Sequence, residues 1–431
     1  MNTKTLYGLI AAALIALLAA WWITSSQKPV SESAEQTRVL LPGLRDQVND
    51  VNSITLTGAE GKVLATLKRS SDGWNVADRG GYPADMTKLR EFLIKLADAT
   101  VLEQKTSNPK LYADLGVSDI KDKDAGGVLV TLEGQKQPVR LIVGNYNGAA
   151  GGGTFVRREG EAQSLLVKGN LSVEKNAAAW EKKDLADIAA TRIKQVTVTN
   201  PDGKTLKVYK EQSGDANFKV ADVPKGRELS SDFVANPLGA FLSGLRADDA
   251  LPAKDAAPAD KVYKVDYLAF DGLNVKAVAW VKDGKDYVQF TAALDSATAD
   301  THVTAEQAKA KAEYDASVQA ANKKVAEEKS TSGAQAEANA KAASETEVTK
   351  PMSMTDPAKD REERLKAVNT EVAALNKTFS GWTFVLPNYK FANIDKGMDD
   401  MLKPLETKKP DAKDAGKSPA KPASKPEATK Q

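Results

Sequence analysis

Two stretches of this chain say nearly the same thing: "GKVLATLKRSSDGWNVAD" at residues 61–78 and "GKTLKVYKEQSGDANFKVAD" at residues 203–222. Each follows a run in which apolar residues alternate with polar ones, "VNSITLTGAEG" at 51–61 and "IKQVTVTNPDG" at 193–203. Ile54 and Leu56 in the first, Val196 and Val198 in the second, repeat with the period of two that marks a strand with one buried face. "GAEG" and "NPDG" have turn compositions, so each stretch reads as the start of a three-stranded meander. Trp74 and Phe218 fall at matching places at its end and read as core aromatics.

The period then changes. Leu89, Phe92, Leu93 and Leu96 follow helical spacing in the first stretch, and Leu238, Phe241, Leu242 and Leu245 repeat that spacing in the second. Asp85 is placed to cap the first helix, and Asn236 before Pro237 to cap and start the second. More strand patterns follow in both. The expected fold is therefore α+β: two similar, mainly antiparallel β-sheet units, each with a packed helix, at residues 49–190 and 191–402.

The second unit carries an interruption at residues 295–377, rich in alanine, glutamate and lysine. Tyr314, Val318, Ala321 and Val325 form a thin apolar stripe, and Leu365, Val368, Val372, Leu375 and Phe379 a heptad-like seam. The pattern predicts a helical hairpin projecting from the second unit, with a partly disordered middle; it reads either as a partner-binding arm or as a tolerated insertion. Residues 403–431, rich in lysine, proline and alanine, read as a disordered tail.

At the other end, residues 6–23 carry no charge and as a helix reach roughly 27 Å, close to the hydrocarbon thickness of a bilayer. Leu6, Leu9, Ile10, Leu14, Leu17, Leu18, Trp21, Trp22 and Ile23 would face lipid. A cleaved signal peptide has a similar pattern, but paired tryptophans suit a membrane–water interface, so residues 1–24 are read as an uncleaved transmembrane anchor. Residues 25–48 then read as a polar tether. The expected location is the inner membrane, with a single pass, the N-terminus cytoplasmic and the bulk periplasmic.

Composition narrows the chemistry. Sixty lysines and arginines face 58 acidic residues, a formal charge of +2, which leaves no electrostatic footprint for nucleic acid. The chain has no cysteine, hence no disulfide, thiolate nucleophile or cysteine-ligated metal. Its one histidine, His302, reads as a solvated loop or helix-start residue. "GNYNGAAGGGTF" from Gly144 lacks the spacing of a phosphate cradle and reads as a hairpin connection. The pairs Asp248–Asp249 and Asp399–Asp400 read as sitting at helix ends or in polar runs, and neighbours on a helix do not face each other. Tyr82, Asp85 and Lys88 come close together in "YPADMTK", but capping accounts for Asp85. No catalytic, cofactor or metal residue is predicted.

The succession "GWNVAD", "YPADMTKLREFLIKLADATVLE", "LYADLGV", a strand ending at Gly144, "TFVRREG", "LLVKGN" and "WEKKDLADIAATRIKQVTV" resembles a bacterial family known as a domain of unknown function. Members of that family are often encoded beside the permease and ATPase parts of gliding-motility-type ABC transporters. The likeness covers about residues 51–292, with a fainter return at Trp382. It implies a non-catalytic accessory or scaffold whose partners are inner-membrane ABC transporter subunits. The alternative is a periplasmic ligand-binding protein for glycan, peptide or lipid, with its site between the two units. A carboxylate hydrolase is the third reading.

Overall fold

The computed structural model describes residues 38–149, 152–330 and 349–404. The predicted anchor side chains from Leu6 to Ile23 lie outside the described residues, as do 331–348 of the insertion and the tail from 405 onward. Among the described residues no helix is long and apolar enough to cross a membrane.

The architecture is α+β and built on large antiparallel sheets. The first sheet has ten strands: β1 (Arg38–Val39), β2 (Ser53–Thr57), β3 (Val63–Ser70), β4 (Gly73–Val76), β5 (Tyr82–Pro83), β6 (Thr100–Gln104), β7 (Val128–Glu133), β8 (Val139–Asn147), β9 (Gly153–Arg158) and β10 (Ser164–Lys168). They lie in the order β1-β6-β10-β9-β8-β7-β2-β3-β4-β5. β2, β3 and β4 form the expected meander, with Ile54 opposite Leu67 and Leu56 opposite Ala65, all four buried. Two short helices, α1 (Leu44–Gln47) and α3 (Tyr112–Leu115), precede and follow the main one, α2 (Met86–Ala97), along the chain. Asp85 caps α2 as predicted, accepting from the Thr87 and Lys88 amides at 3.0 Å each. Leu89, Phe92, Leu93 and Leu96 all enter the core of this sheet.

The second sheet joins eight strands in the order β14-β13-β12-β17-β18-β19-β20-β16. They are β12 (Ile193–Thr199), β13 (Thr205–Tyr209), β14 (Lys219–Val220), β16 (Asp249–Pro252), β17 (Tyr263–Ala269), β18 (Leu273–Lys282), β19 (Lys285–Leu294) and β20 (Trp382–Leu386). A two-stranded ribbon of β11 (Asp184–Ala186) and β15 (Leu245–Arg246) completes the strands.

Residues 38–48 are not tether: β1 pairs with β6, and Leu40, Leu41 and Leu44 are buried in the first core. The first unit does not run to residue 190, because Leu185 and Ile188 pack into the second core. The second amphipathic helix collapses to a single turn, α4 (Asn236–Gly239). Its four apolar residues are buried as foreseen, but through successive turns, and Leu245 is drawn into β15. Gly239 lies so close to Phe218 that a Cβ there would sit 2.1 Å from the ring. Asn236 spends its side chain on the β13–β14 connection rather than on a cap: its Oδ1 accepts from the Phe218 amide at 3.0 Å and its Nδ2 donates to Asn217 at 2.8 Å.

The insertion supplies the missing cover. It contains α5 (Ser296–Ser330), α6 (Met352–Thr355) and α7 (Pro357–Phe379); the short α8 (Asn388–Phe391) and α9 (Met398–Met401) follow β20. Of the predicted seam, Val368, Leu375 and Phe379 are buried in the second core and Val372 packs on it. The Asn376 side-chain amide pairs with the backbone of Ala292 in β19, donating at 2.7 Å and accepting at 2.9 Å. Arg192 grips Glu371 with both terminal nitrogens, at 2.8 and 2.6 Å, and Asp271 with Nε at 2.8 Å. The returning helix is thus a core element rather than an outward arm. Phe379→Ala is expected to cost about 3–5 kcal/mol in urea unfolding, the usual loss for a buried Phe truncated to Ala; a helix that merely projected would register under about 0.5 kcal/mol.

Candidate functional site: the sheet junction and a cleft beside residues 41–47

The two sheets meet through the segment after Trp180. Asp85 donates its amide to Trp180 O at 2.8 Å and Lys182 to Pro83 O at 2.9 Å, which ties the segment to the edge of the first sheet. Ala247 then donates to Lys183 O at 2.9 Å and Asp248 to Val385 O at 2.8 Å, which carries the pairing into the second. One continuous backbone staple therefore links β5 to β16 and β20.

At its centre stands Glu181, whose side chain has no solvent exposure. Arg79 Nε donates to Oε1 at 2.6 Å, and Lys183 Nζ donates to Oε2 at 3.2 Å. Arg79 Nη2 also donates to the Asp249 carboxylate and, at 3.0 Å, to Ala250 O, both in the second sheet. Lys183 Nζ reaches Asp248 O at 2.6 Å. Burial works against the charge on Arg79, but the hydrogen bond and field of Glu181, with those of Asp249, more than offset it and hold the guanidinium above its ordinary value.

Beside this network Tyr82, on β5 of the first sheet, inserts its ring into the core of the second. It meets Trp382 edge-on at 4.8 Å and Phe384 at 6.2 Å. Burial, with the field of Glu181, pushes its phenol well above the ordinary tyrosine value, so it stays neutral; its hydroxyl has no partner among the described residues. Gly80, at φ +68°, lets the turn approach Pro252, where a Cβ would come within 2.6 Å.

A separate cleft of about 540 Å³ opens on the first sheet, between residues 41–47 and the β7–β8 turn. Gln47, Gln135, Lys136, Arg140, Arg158 and Glu159 supply its polar lining. Arg140 Nε donates to Glu159, and that hydrogen bond pulls the Glu159 carboxyl below its ordinary value against a weaker opposing effect of burial.

The residues singled out from the sequence are scattered. Asp249 lies on a strand at the junction, not at a helix end, and Asp248 contributes its carbonyl oxygen there. Asp400, in α9, accepts from the Gly397 amide at 2.7 Å. His302 is half-buried within α5. Lys88 donates to Ala179 O at 2.9 Å and lies over the Trp180 ring. Gly144 lies in β8 and Gly153 in β9, which pair antiparallel, and Gly148 and Gly152 fall between them, as expected of a hairpin connection. Glu181 and Arg79 were not foreseen. The one available signal was a glutamate directly after a core tryptophan, which carries little information without its distant partners. Among the described residues no three His, Asp or Glu side chains converge as metal ligands.

Two large antiparallel sheets, joined by the ion network of Arg79, Glu181, Lys183 and Asp249, make this an α+β protein. Residues 74–287 match the model of a specific family, DUF4340, a domain of unknown function. The matched segment runs from Trp74 to Tyr287, so it contains Arg79, Glu181, Lys183 and Asp249 but neither α7 nor β20. The chain has no match among curated proteins or among solved structures.

Glu181→Leu is expected to cost about 3 kcal/mol, because Arg79 and Lys183 each lose a carboxylate oxygen at a part-buried site. Adding Arg79→Met should restore part of that loss, so the double variant is less destabilised than the sum of the singles. Urea unfolding of the four proteins checks both; losses that simply add would mean that the two side chains act independently.

Proposed function

We propose that this protein is a non-catalytic, membrane-tethered accessory or scaffold of an ABC-type transport system. Residues 6–23 anchor it in the inner membrane and the folded part lies on the periplasmic side. The observation that carries this reading is the junction. Its carboxylates, Glu181 and Asp249, are engaged by Arg79 and Lys183 across two sheets, an arrangement suited to holding a shape rather than to turning over a substrate. A tether confines such a body near the bilayer and raises its effective concentration for a membrane partner. The resemblance of the chain to a family encoded beside transporter genes supplies the nature of that partner.

The ligand-binding alternative placed its site between the two units. Tyr82, Trp382 and Phe384 pack together there. Any ligand reading is better served by the cleft beside residues 41–47.

Affinity purification of the tagged, full-length chain from gently solubilised membranes tests the proposal. Permease or ATPase subunits should be enriched over a tag-only control, and external protease should cleave the folded part in spheroplasts. Recovery of the protein from the cytosol, or repeated purification without any transporter subunit, overturns it.

A further inference from the structure

We propose that the cleft beside residues 41–47 is a docking groove for an extended polypeptide segment of a partner protein, one that brings an acidic side chain to Lys136. Placing that partner at the membrane rests on the function proposed above; the chemistry of the groove does not.

The charges come first. Arg140 is neutralised by Glu159, and Arg158 by Glu161 at 3.4 Å, with a further hydrogen bond from Arg158 to Leu40 O. Glu159 is held ionised by its arginine. Lys136 is left with no acidic partner among the described residues, so the cleft carries one uncompensated cation. A phosphate group would find both arginines already engaged, whereas a single carboxylate matches what remains.

The amides come second. Gln135 donates through Nε2 to Leu132 O at 3.1 Å, but its Oε1 is buried and accepts nothing. Gln47 accepts through Oε1 from the Lys136 amide at 3.2 Å, and its Nε2 has no acceptor among the described residues. One unused acceptor and one unused donor, both on side chains lining the same cleft, complement the N–H and C=O of a peptide unit. A buried acceptor without a donor is costly, so Gln135 gains by turning toward a donor that arrives with a ligand. Leu41, Pro42, Pro138 and Val139 add apolar surface for alternate side chains of an extended chain. Among the described residues that line the cleft none is aromatic, which removes the stacking platform a sugar ring would use. The volume, about 540 Å³, is in the range of sites that enclose a small ligand or a few residues.

The test uses the full-length chain in detergent. A displayed library of random short peptides is panned against it, and the enriched peptides are measured by fluorescence anisotropy. The expected result is binding by peptides with a recurrent acidic residue, weakened roughly tenfold by Gln135→Leu and by Lys136→Glu, the scale of losing one hydrogen bond or ion pair to a desolvated group. Replacing the peptide's acidic residue by lysine should restore binding to Lys136→Glu. The Lys136 side chain is exposed and forms no hydrogen bond or ion pair among the described residues, so this variant keeps the fold. No enriched peptide, binding to either variant as tight as to the unaltered chain, or retention of oligosaccharides alone at this cleft overturns the proposal. Peptide binding without any transporter subunit in membranes would overturn only the function proposed above; transporter recovery with no peptide binding would overturn only this inference.

Discussion

A carboxylate withdrawn from water is tolerable only when cations reach its oxygens, and Glu181 is placed where the meeting of two sheets provides them. Arg79, in the turn that follows β4 of the first sheet, takes one oxygen; Lys183, on the way to the ribbon with β15, takes the other. Arg79 also reaches Asp249 and Ala250 of the second sheet. Such a network is weak evidence for stability in itself, since burying Glu181 fully and its partners in part consumes much of what their attraction returns. Its value is geometric. Only one relative placement of the sheets pairs all of these groups, and any other leaves a buried charge unpaired. The Tyr82 ring lodged in the second core and the close fit of Gly80 on Pro252 reinforce the same placement through packing.

The second sheet shows how a fold finds cover from an unexpected part of the chain. Residues 236–245 have helical spacing, yet the Phe218 ring sits against Gly239 and the ribbon captures Leu245, so only one turn forms. The face left over is covered by α7, which comes from within the long insertion. Phe379 ties it into the aromatic cluster with Phe290 and Phe384, at 5.1 and 6.5 Å. Arg192 and Asn376 then fix its rotation through directed hydrogen bonds. The insertion is therefore divided: its returning helix belongs to the core, while α5 leaves it as a long, largely polar helix.

These two features bear on function together. A body whose sheets are tied together by side-chain and backbone bonds presents its surfaces in a constant arrangement. The cleft beside residues 41–47 lies close to β1, the point where the chain from the predicted anchor enters the first sheet.

Much of this architecture is written locally. Strands β2, β3 and β12 alternate apolar and polar residues with a period of two, and α2 has an apolar stripe and a capping aspartate, so each was legible from neighbours a few residues apart. The seam from Leu365 to Phe379 was also visible, as was the absence of cysteine chemistry. What the sequence did not disclose depends on residues far apart in the chain. Glu181 is an ordinary glutamate until Arg79, 102 positions away, is brought beside it. The spacing of Leu238, Phe241, Leu242 and Leu245 shows that all four are buried, but helix and compact turns bury such a set equally well, and the ring of Phe218 decides between them. Local periodicity reports which side chains leave water; tertiary structure alone decides what they meet, because the partner of a buried group is chosen by the whole packing and not by its neighbours in sequence.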